Sequence, residues 1–265
     1  ARGLKTCIIE HRGKIAEKIR ISGGGKCNFT NLYSEPKNYL SQNPHFCKSA
    51  LKRFTPRDFI ELLDERAIPY HEKAVSEYSK GQLFCDESAQ LIIEMLQNGV
   101  EEHGGHIHLM RKIGKVEKQG EGFTLTTNQG NYKCAKLVIA SGGLSIPKIG
   151  ATNFGYELAK QFGLNIIPPS AGLVPLTFDE ELLAQTKELS GISLDALVSC
   201  GKASFREGLL FTHRGLSGPS ILQISNYRTP GAPIKIDTLP DIDAFEWLKE
   251  MRGSQPKQIL HNALS

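Results

Sequence analysis

The sequence predicts an α/β fold, and three observations support this prediction. First, Thr6 to Glu10 is a short apolar run that ends in an acid, which is typical of a buried parallel strand. Second, the glycine triplet Gly23 to Gly25 follows that run. Third, a second apolar run, residues 135–140, is interpreted as another buried strand and leads into the pair Gly142 and Gly143. Strands that alternate with helices and end in glycine-rich loops are typical of a Rossmann-type domain, which binds a dinucleotide.

The helices of this domain are predicted from their own boundary signals. Thr55 followed by Pro56 is typical of an N-cap and the first helical position, and an apolar helical face follows them. A second helix is predicted to begin after Asp86 or Ser88 and to end at a glycine pair. A third helix is predicted to end at Gly163.

Two segments are predicted to be rich in β-structure. Residues 106–134 contain short strand-like runs separated by turn residues. Residues 173–237 also alternate short strand-like runs with turns. A proline-marked linker precedes the second segment and predicts a domain boundary. From Asp241 onward the apolar spacing becomes helical.

The composition is that of an ordinary globular protein. The chain has 265 residues, of which 40% are hydrophobic and 23% charged, with a formal net charge of +4. The longest basic cluster, Lys48, Lys52, Arg53 and Arg57, has helical spacing and is interpreted as a solvated face, so no nucleic-acid partner is expected.

The location is predicted from the cysteines and the apolar runs. No pair among the six cysteines has CxxC spacing, which favours reduced thiols and a cytoplasmic protein. No apolar run is long enough to cross a membrane, and no signal peptide is recognised, so no membrane partner is expected.

Glu10 and the glycines are the residues that point to a nucleotide. A carboxylate at the tip of a strand can accept hydrogen bonds from a ribose diol, and glycines let backbone N–H groups approach a phosphate or a ring edge. The alternatives are a solvated glutamate and a flexible turn. The first-strand fingerprint GxGxxG does not occur in the sequence. The pattern of strands and helices is interrupted at both ends of the sequence. We therefore expect the fingerprint strand and a C-terminal segment to lie outside these 265 residues.

Four motifs carry a resemblance to a known family. They are KIRISGGGKCNFTN (18–31), LVIASGGLSIPKIGATNFGYELAKQFG (137–163), LVPLTF (173–178) and LLFTHRGLSGPSILQISNY (209–227). In this order they resemble the BaiN/YhiN-like bacterial flavoproteins, which are NAD(P)/FAD-dependent oxidoreductases. The resemblance implies FAD as cofactor, NAD(P)H as a candidate electron donor and a small-molecule substrate.

The resemblance also implies a domain plan. An FAD/NAD(P)-binding Rossmann-type domain, present in part, would occupy residues 1–165. A β-barrel-like inserted domain would occupy residues 166–240, and the start of a helical domain residues 241–265.

The resemblance further implies a role for each matching residue. At the adenosine end, Glu10 would bind the ribose, Ile113 would pack near the adenine and Lys18 would lie near the phosphates as a point charge. Ser141, Gly142 and Gly143 would pass the pyrophosphate side.

At the flavin end, four consecutive residues would pass close to the ring or the ribityl chain through their backbone: Ser22, Gly23, Gly24 and Gly25. The side chains of Asn28 and Thr30 would fix this loop by hydrogen bonds. Lys26 stands where many members of the family have arginine, so a bidentate phosphate contact is not expected there.

Two other clusters have weaker claims to a site. His106 and His108 share one face of a predicted strand, but a metal ion needs further ligands, so surface imidazoles are favoured and no metal is predicted. His213 and Arg214 could either face a substrate cavity or form a structural turn. Ser217 lacks the GxSxG spacing of a nucleophile elbow and is not expected to be a nucleophile.

Two functions follow from these observations. The first is a flavin-dependent oxidoreductase, in which FAD carries the redox chemistry. The second is a non-catalytic module that retains the flavoprotein scaffold and binds a nucleotide or a partner. The sequence singles out no catalytic residue for either function.

Overall fold

The computed structural model describes residues 3–73, 80–229 and 231–254. The chain divides into two compact units, residues 1–168 and 169–265. None of the helices in the described ranges is long and apolar enough to cross a membrane.

The first unit combines short strands with helices. Its strands are β1 (Cys7–Ile9), β2 (Asn28–Asn31), β3 (Tyr70–Glu72), β4 (Gln82–Cys85), β5 (His106–His108), β6 (Ile113–Gln119), β7 (Gly122–Thr127) and β8 (Gly130–Cys134). Its α-helices are α1 (Glu17–Ile21), α2 (Lys48–Arg53), α3 (Pro56–Glu65), α4 (Ala89–Glu102) and α5 (Phe154–Gln161).

These strands form three small sheets. Strands β1 and β5 pair in parallel, with Cys7 opposite His106. Strand β4 lies between β2 and β3 in an antiparallel sheet, and β6, β7 and β8 form an antiparallel meander. The parallel pair brings the end of β1 beside the end of β5, where the candidate site begins.

The predicted helix starts are confirmed in α3 and α4. The Thr55 hydroxyl accepts from the Asp58 amide at 3.3 Å, and the Asp58 carboxylate accepts from the Thr55 amide at 2.5 Å, which is a reciprocal capping box. At α4, the Ser88 hydroxyl accepts from the Gln90 amide at 3.1 Å. These side chains satisfy amide groups that the first helical turn leaves free.

Two hydrophobic clusters hold the first unit together. Leu63 of α3, Cys85 of β4 and Ile92 of α4 are fully buried in one cluster. The second cluster joins the meander to α5 through buried Val116 and Leu158. Burying a leucine or isoleucine side chain contributes about 1.5–3 kcal/mol, so α3 and α4 depend on this packing more than on intrinsic helix propensity.

The prediction of two buried strands is wrong in part. Residues 7–9 do form a strand, but within the described residues β1 pairs with β5 alone, and Ile8 is exposed. Residues 135–140 form no strand, and the Val138 side chain is 83% exposed. The apolar character of both runs predicted burial, but a strand is buried only where neighbouring strands and helices cover it.

The second unit is a sheet with a helix packed on it. Its strands are β9 (Leu176–Thr177), β10 (Ser193–Cys200), β11 (Ala203–Thr212), β12 (Gly215–Ser217) and β13 (Lys235–Asp237). Its helices are α6 (Glu180–Thr186), α7 (Pro219–Ile224) and α8 (Ala244–Ser254).

The five strands pair antiparallel in the order β13-β10-β11-β12-β9. Ile221 and Ile224 of α7 are fully buried against Val198 and Leu209 of the sheet. The predicted helical pattern after Asp241 is confirmed as far as α8 extends, and its continuation at residues 255–265 lies outside the described residues.

Candidate functional site

Glu10 lies directly after β1, and its backbone is fixed on both sides. Its amide donates to the His108 carbonyl at 2.9 Å, and its carbonyl accepts from the Arg111 amide at 2.9 Å. One carboxylate oxygen, Oε1, accepts from the Arg12 amide at 2.7 Å and lies 3.1 Å from Nδ1 of His11. The carboxylate is therefore positioned by its own loop and remains partly exposed.

Ile113 begins β6, close to the same point of the sheet. Ile113 and Ile9, the last residue of β1, both pack against the cluster around Val116. Glu10, which follows Ile9, and Ile113 are therefore both connected to this one cluster.

Ser141 to Gly143 lie against the first turn of α5. A Cβ atom added to Gly155 would be 3.1 Å from the Ser141 hydroxyl, and one added to Gly143 would be 2.7 Å from the Tyr156 hydroxyl. Within the described residues, the amides of 141–143 donate no hydrogen bond. These N–H groups therefore remain available to an acceptor from outside the chain.

A short turn follows this segment in the sequence and lies close to the residues that follow Glu10. Residues Pro147–Ile149 form one turn of 3₁₀-helix, and Gly150 follows it. A Cβ atom added to Gly150 would be 3.0 Å from Nε2 of His11 and 3.0 Å from Cδ of Arg12. The structure thus brings the turn that follows the second glycine segment beside the Glu10 loop.

The first glycine segment has one packed side and one open side. Ser22–Gly25 form a 3₁₀ turn in which Gly23, Gly24 and Gly25 have φ of +56°, +66° and +88°. A Cβ atom on Gly23 would meet the Asn28 amide at 2.7 Å and the Phe84 ring at 2.8 Å, whereas Gly24 and Gly25 have no atom within 4 Å of that position. Gly23 is therefore required for packing, and the next two glycines leave the backbone uncovered.

The polar side chains around this loop are mostly committed to backbone groups. The Ser22 hydroxyl donates to the Ile19 carbonyl at 2.8 Å. Lys26 Nζ donates to the carbonyls of Asp86 at 2.5 Å and Glu87 at 2.7 Å. Lys26 therefore ties the glycine loop to the start of α4.

The remaining predicted residues differ in their surroundings. With its nitrogen toward the carbonyls of Thr30 and Leu83, the Asn28 amide donates to both at 3.2 Å, which fits the expected role of fixing the loop. The Thr30 hydroxyl makes no hydrogen bond in the described part of the chain. Lys18 is exposed on α1 and forms no ion pair with any described residue.

A histidine–aspartate pair that the sequence did not single out lies beside this loop. His71 Nδ1 is 2.5 Å from Asp86 Oδ1, and the His71 ring stacks on Phe84 with centroids 6.3 Å apart. Phe84 is the residue whose ring fills the space in front of Gly23. Because β3 and β4 pair antiparallel, two residues that are distant in sequence meet here, and no local motif could have indicated them.

The two other clusters considered from the sequence, His106 with His108 and His213 with Arg214, make contacts that are typical of structural residues. His108 Nδ1 lies 3.1 Å from the Tyr132 hydroxyl, and His106 and His108 are among the residues that line a groove of about 520 Å³ beside α4. No group of three or more possible metal ligands occurs in the described ranges. His213 and Arg214 form the turn between β11 and β12, which favours a structural role for that motif.

The site residues fit an FAD molecule in the chemistry of their donors and acceptors. A carboxylate stands at the end of a parallel strand, where a ribose diol can donate to it. Uncovered backbone at Gly24 and Gly25 allows a planar ring to approach closely, and unpaired N–H groups near Gly142 suit a phosphate. The individual roles given to these residues remain predictions.

Two family models match the chain. One, described as "HI0933-like protein Rossmann domain", matches residues 1–197, and the other, "HI0933-like protein barrel and H2TH domain", matches residues 170–265. The predicted combination of a Rossmann-type domain with a barrel-like and a helical part is thereby confirmed.

Three curated relatives are similar over most of the chain. Two are named ribosomal RNA dihydrouridine synthase: one from Escherichia coli K12, 49% identical over 99% of the chain, and one from Haemophilus influenzae, 47% identical over 99%. A third, the 3-dehydro-bile acid delta(4,6)-reductase of Clostridium scindens, is 23% identical over 90% of the chain. The chain spans 65% of the length of each of the first two relatives and 59% of the third.

These matches refine the family resemblance. The expected BaiN/YhiN-like assignment holds at the level of the wider family, and the two relatives with the higher identities carry a different activity in their names. The chain belongs to the HI0933-like family of flavoproteins.

Proposed function

We propose that the protein containing this chain is an FAD-dependent reductase that converts uridine to dihydrouridine in ribosomal RNA. The observation that carries this proposal is the identity of 49% and 47%, over 99% of the chain, to two proteins with that name. This substrate departs from two expectations: the small-molecule substrate that the resemblance implies, and the absence of a nucleic-acid partner that the charge pattern predicts.

The two activities named among the relatives share one chemistry. Dihydrouridine differs from uridine by two hydrogen atoms across the C5=C6 bond, which is conjugated to the C4 carbonyl. A delta(4,6)-reductase of a 3-dehydro steroid also reduces carbon–carbon double bonds conjugated to a carbonyl. Reduction of a conjugated double bond is therefore the reaction class that both names support.

The residues of this chain would bind and orient the cofactor. The chemistry that FAD supplies when bound is hydride transfer, with NAD(P)H as the proposed source of electrons. Glu10 would accept hydrogen bonds from the ribose, and Ser141 to Gly143 would donate backbone hydrogen bonds to the pyrophosphate. The uncovered face of Gly24 and Gly25 would border the ring system.

A reduction of this class also needs a proton, since a hydride at C6 leaves negative charge that a proton at C5 neutralises. His71 is suited to hold that proton at Nε2, because Asp86 accepts from Nδ1 and fixes the ring. Its ring stacks on Phe84, which borders the glycine loop. Because the contact with Phe84 places His71 beside the glycine loop, we assign His71 as the candidate proton carrier.

The test uses the full-length protein and ribosomal RNA transcribed without modifications. The purified protein is expected to show the visible absorbance of a flavin, and incubation with NADPH should convert uridine to dihydrouridine, which nucleoside mass spectrometry detects as a gain of two hydrogen atoms. A flavin-free protein without reductase activity would favour the non-catalytic module instead. A flavoprotein that reduces a steroid enone and leaves RNA unchanged would retain the reaction class and overturn the substrate.

A further inference from the structure

Residues 32–57 form an exposed segment that the proposed site does not use. They follow β2 and include α2, and none of the 26 residues is buried. Cys47 contacts the Pro36 carbonyl at 3.9 Å, so the two halves of the segment lie against one another. We call these residues the 32–57 face.

The 32–57 face carries the whole net charge of the chain. Against a single acid, Glu35, it contains five basic residues: Lys37, Lys48, Lys52, Arg53 and Arg57. Its net charge of +4 equals that of all 265 residues, so the rest of the chain is balanced. Lys37 pairs with Glu35 at 2.8 Å, and the other four cations form no ion pair within the described residues.

The same face presents an unusual number of aromatic side chains to solvent. Seven phenylalanine and tyrosine side chains are largely exposed in the described part of the chain, and four of them belong to this face: Tyr33, Tyr39, Phe46 and Phe54. Phe46 is 82% exposed. Lys80 Nζ lies 5.6 Å from the centre of the Tyr33 ring, so a cation and an aromatic ring are already paired at its edge.

Interleaved cations and exposed aromatic rings fit RNA with unpaired bases. The cations attract phosphates, and the rings stack on bases, which only an unpaired strand or a loop exposes. An anionic membrane would attract the cations too, but it favours a long helix with one continuous apolar face. Helix α2 has six residues, and polar Ser41, Gln42 and Asn43 separate the aromatic positions.

We propose that the 32–57 face binds unpaired RNA next to the uridine that is reduced. This inference rests on the proposed function, because that function supplies the RNA. The face also continues directly from the candidate site: β2, four residues and so about 13 Å long, connects the glycine loop to Leu32. If the 32–57 face holds an RNA loop, the neighbouring nucleotides would therefore be within reach of the glycine loop of the protein.

The first test measures binding of a fluorescein-labelled, uridine-rich single-stranded RNA to the full-length protein at several salt concentrations. One variant replaces Lys48, Lys52, Arg53 and Arg57 by glutamine. A control variant makes the same change in net charge elsewhere, at Lys118, Lys133, Lys187 and Lys202. Loss of four phosphate contacts should reduce the slope of log affinity against log salt by about 3 in the first variant only.

The second test separates stacking from charge. Phe46→Ala should weaken binding of the single strand by roughly 5- to 100-fold, as expected for one stacked base, and should change the salt slope little. Phe245→Ala is the matched control, since Phe245 is 73% exposed on α8. Binding of a duplex of the same length should respond less to Phe46→Ala than binding of the single strand.

Several results would overturn the proposal. Equal losses in the charge variant and its control would mean that net charge alone attracts RNA. Unchanged RNA binding with lost binding to phosphatidylserine vesicles would assign the face to a membrane. If wild type forms dihydrouridine and both face variants form it equally fast at limiting RNA, this inference fails while the proposed function stands. If wild type neither binds RNA nor forms dihydrouridine, the proposed function fails and this inference fails with it.

Discussion

His71 Nδ1 lies 2.5 Å from Asp86 Oδ1, although 15 residues separate them in the sequence. The antiparallel pairing of β3 with β4 sets His71 opposite Phe84, and Asp86, two residues beyond Phe84, is therefore a diagonal neighbour of His71. Lys26 fixes the Asp86 backbone from the glycine loop. Hydrogen bonds therefore connect the His71–Asp86 pair, the glycine loop and the start of α4.

If His71 holds the proton for the reduction, His71→Gln should lower kcat by about 10²-fold or more, the usual contribution of a general acid. Bound flavin should remain at the wild-type level, because Glu10 and the glycine segments are unchanged. Asp86→Asn should have a smaller effect of the same kind.

The control for this change is His103→Gln, since His103 is exposed at the end of α4 and its ring, among the described residues, bonds only the Gly99 carbonyl at 2.7 Å. It should leave kcat unchanged. An unaltered kcat in His71→Gln would remove His71 from the reaction.

Replacement of Glu10 by alanine should weaken FAD binding about 10- to 100-fold, because a hydrogen bond to a charged group contributes about 1.5–3 kcal/mol. The measurement is titration of the apoprotein with FAD, followed by flavin fluorescence. Glu10→Gln retains an acceptor for the Arg12 amide, so it separates loss of the ribose contact from disruption of the loop. Glu121→Ala, in the exposed turn between β6 and β7, is the control. Equal dissociation constants for all the proteins would exclude Glu10 from the site.

Gly24→Ala should lower the amount of bound flavin, and Gly120→Ala is the control for the accompanying loss of stability. Gly24 and Gly120 both have positive φ, +66° and +57°, and neither has an atom within 4 Å of an added Cβ. Alanine should therefore impose a similar backbone strain at both positions, about 1–2 kcal/mol. Flavin absorbance per protein should fall in Gly24→Ala only, and equally yellow proteins would show that the open face of the loop does not border the ring.

The capping box of α3 predicts a stability effect that depends on pH. Hydrogen bonds from the Thr55 hydroxyl and amide lower the pKa of the Asp58 carboxyl from its ordinary value. A carboxyl with a lowered pKa in the folded state stabilises the protein at neutral pH, and this contribution is lost as pH falls below about 4.

Thr55→Ala should accordingly reduce the free energy of unfolding by about 1 kcal/mol at pH 7, the usual contribution of an N-cap. Urea unfolding should show that the difference from wild type becomes smaller in acid. Thr126→Ala, on the exposed side of β7, should show a difference that does not vary with pH. A pH-independent effect at Thr55 would contradict the role given to Asp58.

Local signals predicted the helices well. Thr55, Ser88 and Gly163 mark boundaries within a few residues of where α3, α4 and α5 begin or end, because caps act on the nearest backbone groups. Helix α6 was missed although its signal was present: Asp179 caps it by accepting from the Leu182 amide at 2.9 Å. Two acids follow that cap, which also favour a helix start.

The remaining features depend on residues far apart in the chain. Whether residues 135–140 form a strand is decided by the neighbours available to pair with them, and apolar character does not report those neighbours. The same limit applies to His71 and Asp86, which meet only through strand pairing. The candidate site was indicated by Glu10 and the glycines because a strand-end carboxylate and a glycine loop are both local patterns, whereas the contact between Gly150 and His11 required the folded chain.

The charge imbalance of residues 32–57 has a practical consequence for purification. Since the rest of the chain is neutral overall, a cation-exchange resin should retain the chain mainly through this one face, and the eluting salt concentration should report how accessible the face is. Nucleic acid carried over from the cell would cover the same cations and send part of the protein through the column unretained. A preparation that elutes in two populations should therefore be treated with nuclease before any affinity for RNA is measured.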